Sequence, residues 1–117
     1  MRGYKIIQDN GKWFFLLIPN NSNSQEIGCS KSFQSYVECE EGVQKFRKLI
    51  IENRVNSYDS PFVSIIECGR EAFLEYSVNG EMIFQSRKYS SSSPRTCCKK
   101  CVVSIHKHID EYTLKQV

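Results

Sequence analysis

A chain of 117 residues with 40% hydrophobic and 25% charged content has ordinary globular composition, which excludes disordered, collagen-like and fibrous classes. Its net charge of +3 is too mild to dictate a polyanionic partner. No run of about 18 apolar residues is present to cross a bilayer.

The opening MRGYKIIQDNGKW lacks the apolar stretch of an export signal, so the expected location is the cytoplasm. The six cysteines are then expected as reduced, packed thiols rather than disulfides. Tyr4 to Ile7 reads as a short strand ended by Asp9-Asn10-Gly11, a tripeptide suited to a tight turn because Asn and Gly accept positive φ. Trp13 to Ile18, WFFLLI, is too short for a typical helix and is stopped by Pro19, which makes it a strand. Asn20 to Ser24 is a polar loop, with a glycosylation sequon at Asn20 to Ser22 by pattern only. Glu26 to Ser30 returns as the partner strand.

Ser35, with Glu38 three residues on, opens a helix as a capping box, and that helix is expected to run to about Glu52. Asn53 to Pro61 is polar and closed by a proline, a boundary between two halves. Phe62 to Cys68 is the next strand. Phe73 to Val78 and Glu81 to Ser86 flank Asn79-Gly80, a strong hairpin signal. After a loop at Ser90 to Ser93, Ser93 caps a second helix with Pro94 in its first turn, and the apolar stripe runs through Tyr112. Thr113 to Val117 is a candidate last strand.

The two helices carry the same stripe. Cys39, Val43, Phe46 and Ile50 are spaced as Cys98, Val102, Ile105 and Ile109 are, one helical face in each case. Upstream, Ser30-Lys-Ser-Phe33 matches Ser86-Arg-Lys-Tyr89. The chain therefore reads as two copies of one unit, residues 1–56 and 57–117. Each copy is too small to bury an adequate core alone, so the halves are expected to share one.

In this order of elements the chain resembles the YegP-like family of short bacterial tandem domains. The matching residues in the first copy are Gly11-Lys12-Trp13 with Phe15 and Leu17, then Ser30 to Phe33, then Glu41-Gly42-Val43 ahead of Phe46. In the second they are Asn79 to Ile83, Ser86 to Tyr89, and Val102 to Ile105. The resemblance implies an α+β fold: two tandem three-strand-plus-helix repeats forming one antiparallel sheet, a pseudo-dimer with both helices packed on one face. It implies no active site, because the biochemical function of that family is not established. Three features depart from the pattern. Cys101 stands where a helix glycine is usual, Ser90 to Ser93 lengthens a loop, and Glu75 occupies a position expected to be apolar.

Cys97, Cys98 and Cys101 with His106 and His108 are the candidate metal or thiol residues. Zinc needs four converging ligands, whereas on one helix His106 and His108 lie about 200° apart and Cys98 falls on the buried stripe. Cys98-Lys-Lys-Cys101 has redox spacing, and flanking lysines would lower a thiol pKa. A redox site of that type follows a parallel strand, and here antiparallel hairpins precede it. No nucleophile, base and orienting group can be assembled, and no cofactor loop is present, so the expectation is a non-enzymatic protein without cofactor. Nucleic-acid binding is an alternative, with Arg95, Lys99, Lys100 and Lys107 on phosphates and Trp13, Tyr76 or Phe84 stacking on bases.

The leading expectation concerns the sheet. Trp13, Phe15 and Leu17 face the helices, which leaves Phe14, Leu16 and Ile18 on the opposite face. Leu74, Tyr76 and Val78 are expected to continue that apolar strip, as a surface for a protein partner or a second copy of the chain.

Overall fold

The protein is described by a computed structural model over residues 2–19, 25–53 and 62–114. The expected polar loop and sequon at 20–24, most of the boundary at 54–61, and the end of the last strand at 115–117 lie outside the described residues.

Two Asn-Gly pairs set the first-order architecture. Asn10 and Gly11 have φ of 52° and 77°, and Asn79 and Gly80 have 52° and 79°. Positive φ at both central residues is the type I′ condition whose twist matches paired strands. The turns join β1 (Gly3–Asp9) to β2 (Lys12–Ile18), and β5 (Glu71–Val78) to β6 (Glu81–Ser86). A third tight turn, at Gly69, joins β4 (Val63–Cys68) to β5. With β3 (Gly28–Ser30), β7 (Tyr89–Ser90) and β8 (Thr113–Leu114) they form one open eight-stranded sheet, in the order β4-β5-β6-β3-β2-β1-β8, with β7 paired to β5. The pairing is antiparallel except at β8, which runs parallel to β1. The sheet is therefore mixed rather than wholly antiparallel. Ser90, read as loop, belongs to β7.

Helix α1 (Tyr36–Glu52) has Ser35 and Asn53 as its caps. Glu38 N–H donates to Ser35 Oγ at 3.1 Å, and the Glu38 carboxylate accepts from Gln34 N–H at 3.1 Å, so the reciprocal bond reaches one residue further back than a capping box requires. Helix α2 (Pro94–His108) begins with Pro94 as expected, but Ser93 makes no side-chain cap bond. A 3-10 turn (Ile109–Glu111) carries the chain on to a buried Tyr112.

All eight stripe residues of the two helices are buried, none above 2% exposed. They meet one side of the sheet. Phe46 of α1 contacts Phe15, Phe84 and Tyr76 at ring-centroid distances of 5.7, 4.8 and 5.2 Å, while Tyr76 also meets His106 of α2 at 5.9 Å. Both helices thus lie on the same face, over a single core.

In the middle of the sheet, β3 joins β2 to β6 through three residues. The strands approach closely at Gly28, where a Cβ would stand 2.4 Å from the Gln85 carbonyl oxygen and 2.7 Å from the Phe84 ring. No larger residue fits that seam without moving backbone.

Candidate functional site

The sheet has two faces, and register decides what each displays. Phe15 and Leu17 are buried toward the helices, so Phe14, Leu16 and Ile18 point away from them, half-buried among their neighbours. Ile7 pairs with Phe14 on that outer face and is 37% exposed. Leu16 lies in a row that runs through Cys29 and Gln85 to Glu75. Beyond that polar centre, Phe73 pairs with Ile66 to make a second apolar patch near the β4 edge.

The expected continuation through Leu74, Tyr76 and Val78 is wrong. Leu74 and Tyr76 are fully buried on the helix side, opposite Ile65 and Val63. Val78 is exposed but lies on that same side, lining a cleft with Phe33 and Gly42. The cause is a register slip of one residue, which exchanges every side chain between faces. β5 is apolar at Phe73 and at Leu74, so its composition does not choose. Its hydrogen bonding does: Leu74 N–H donates to Ser86 Oγ at 2.8 Å, as Phe15 N–H donates to Ser30 Oγ at 2.9 Å. Leu74 is thus the counterpart of Phe15. Glu75 then faces outward, where a carboxylate is solvated, and its apparent departure from an apolar pattern disappears.

Base stacking by Tyr76 or Phe84 is overturned for the same reason, since both rings are fully buried. Trp13 is half-buried and packs edge-on against Tyr36 at 5.7 Å.

The second-helix thiols sit differently from a reactive site. Cys98 is fully buried, Cys101 is 9% exposed, and Cys97 is half-buried with Sγ 3.6 Å from Ser91 Oγ. Burial pushes the Cys98 thiol up to about 11, with the neighbouring thiols Cys101 and Cys97 adding to the shift. In place of the lowering expected from the flanking lysines, desolvation raises this thiol against the opposing pull of Arg95. None of the six cysteines is disulfide-bonded. Among the described residues no three His, Cys, Asp or Glu side chains converge as a metal site.

His106 was not legible as a core residue. It is 2% exposed, its Nε2 lies 3.0 Å from the Tyr76 hydroxyl, and its ring stacks on Phe62 at 6.1 Å and 13°. Its place beside the stripe residue Ile105 was the available signal. His108 instead pairs with Glu111 at the surface.

Two matched clefts remain, each between a helix and the sheet. Lys31 lies 5.5 Å over the Phe33 ring, and Arg87 4.7 Å over the Tyr89 ring. Lys31 N–H donates to the Ile83 carbonyl at 3.0 Å, and Arg87 N–H to the Ile27 carbonyl at 2.9 Å. Each cation therefore sits where a strand from one half meets a strand from the other.

Among the described residues, no helix is long and apolar enough to cross a membrane. No family model and no curated protein matches the chain. In fold it is similar to the solution structure of UPF0339 protein SO3888 from Shewanella oneidensis, with a TM-score of 0.64 and 16% identity over 97% of this chain and 89% of that one.

Proposed function

We propose that the protein is a non-enzymatic cytoplasmic binding module that meets a protein partner through the sheet face opposite its helices. The observation that carries this reading is the apolar run Phe14, Leu16 and Ile18, with Ile7 beside it, on a face that neither helix covers. A half-solvated antiparallel sheet ordinarily places polar residues there. Contiguous apolar side chains, unlike scattered ones, mark interaction surfaces. The six unpaired thiols agree with a reducing compartment.

The same reading includes a tandem construction, with residues 1–56 and 57–117 as copies that exchange strands across the β3–β6 seam. Its support is the matched hydrogen bonding of Ser30 and Ser86, the matched cations over Phe33 and Tyr89, and the matched helix stripes.

Leu16→Lys tests the binding face. The variant is expected to keep its fold, within about 1 kcal/mol of the parent by thermal melting. It is also expected to lose whatever association the parent shows by light scattering and partner capture. A parent that stays monomeric and captures nothing, or a variant that unfolds, overturns the proposal.

A further inference from the structure

The helix side of the sheet carries a second site, independent of the outer face. Between α1 and the β5–β6 hairpin lies a cleft of about 820 Å3, with Phe33, Phe46, Leu49 and Ile83 as its apolar lining. Gly42, with no side chain, admits the ring that floors it. The Phe33 ring lies directly against the helix there, and a Cβ on Gly42 would stand 2.3 Å from its Cζ.

The matched cleft at α2 measures about 340 Å3 and is lined by Tyr89, Cys101, Ser104 and Ile105. At equivalent helix positions Cys101 replaces Gly42 and Ser104 replaces Lys45. The Cys101 side chain occupies the space and hydrogen-bonds Tyr89. The helix lip thus carries Gly42 and Lys45 at one cleft and Cys101 and Ser104 at the other, while Lys31 and Arg87 supply a cation on the sheet side of each.

The charges at the open cleft select an occupant. Lys31 is paired with Glu81, Lys48 lies 3.9 Å from Glu52, and Glu38 is engaged by the Gln34 N–H. Among the described residues this leaves Glu41 and Lys45, one helical turn apart on the lip, with neither an ion pair nor a hydrogen bond. An unspent carboxylate and an unspent ammonium beside an aromatic floor complement a ligand that carries both charges and a ring.

We propose that this cleft binds a small zwitterion with an apolar ring, the chemistry of a free aromatic α-amino acid. Its carboxylate meets Lys45, its ammonium meets Glu41, and its ring rests on Phe33. Charge-assisted hydrogen bonds supply the selectivity, and the apolar floor supplies the desolvation.

The test titrates full-length protein with three probes that share a phenyl ring: L-phenylalanine, 3-phenylpropionate and phenethylamine, followed by NMR shifts of the α1 amides. L-phenylalanine is expected to bind, with each singly charged probe weaker by about tenfold. Lys45→Ser, an exposed change, is expected to erase the preference of L-phenylalanine over phenethylamine while leaving the fold intact. Gly42→Cys should abolish binding of all three probes. Equal affinity for the three probes overturns the proposal, as does no binding of any, or an unchanged preference in Lys45→Ser.

Discussion

The surroundings of α1 and of α2 obey one plan with different contents. Each helix lays a Cys, Val, aromatic or Ile, and Ile stripe on the sheet, and each lies over a buried serine that accepts a strand N–H. Around α1 the helix start is closed by Ser35, and Gly42 admits the Phe33 ring. Around α2 the cap bond is missing, and Cys101 fills the space beside Tyr89. The difference teaches which positions the architecture demands. Stripes and serines are shared, whereas caps, turn residues and clefts vary without altering the fold.

The largest effect should come where the two surroundings overlap. Tyr76 touches Phe46 of α1 and His106 of α2, so Tyr76→Ala should cost about 3–5 kcal/mol by denaturant unfolding, in one cooperative transition. If each helix melted separately, the shared-core description would fail. Next come the serines. Ser30→Ala and Ser86→Ala each leave a buried backbone N–H without its acceptor, at a cost of about 1–3 kcal/mol. The two costs should agree closely, and a large imbalance would break the equivalence of the two halves.

Burial raises the Cys39 and Cys98 thiols alike, each to about 11 from an ordinary 9.0. Above about pH 9 the unfolded thiols ionise while the folded ones hold their protons, so the folded state binds more protons and stability falls as pH rises toward 11. Cys39→Ala and Cys98→Ala should remove similar shares of that alkaline loss. Melting curves between neutral and alkaline pH measure both shares, and a flat profile in the parent would sink the idea. The smallest effects separate the two helix starts. Ser35→Ala should cost about 1 kcal/mol, and Ser93→Ala close to nothing, because Ser93 makes no side-chain cap bond.

Much of the fold was legible because its strongest signals are local. The helix stripes repeat every three or four residues, and the Asn-Gly pairs fix two hairpins without reference to distant chain. The face of β5 was not legible, since Phe73 and Leu74 are both apolar and only the Ser86 hydroxyl, twelve residues away, selects between them. β7 and β8, at two residues each, are too short to show alternation and exist by pairing with β5 and β1. His106 reached the core because Tyr76 and Phe62 await it across the sheet, a requirement that a helix sequence does not announce. The outer apolar residues Phe14, Leu16 and Ile18 were legible because an unbroken apolar strand must show half its residues on the far side. The matched clefts were missed, since neither Gly42 nor Cys101 declares which ring will lie against it.

The Gly28 seam has a consequence for the order of assembly. Each hairpin closes through a two-residue turn, whereas β3 meets β6 only after a long stretch of intervening chain has been drawn in. Loop closure of that length must precede the contacts that reward it, so the seam is expected to form after both hairpins and to limit the folding rate. A Gly28→Ala substitution would then act mainly on unfolding, speeding it while leaving refolding little changed, if the seam zips shut beyond the transition state. Refolding slowed as much as the stability falls would instead place the seam within the nucleus. Three residues in mid-sheet thus join the hairpins on either side of them into one sheet.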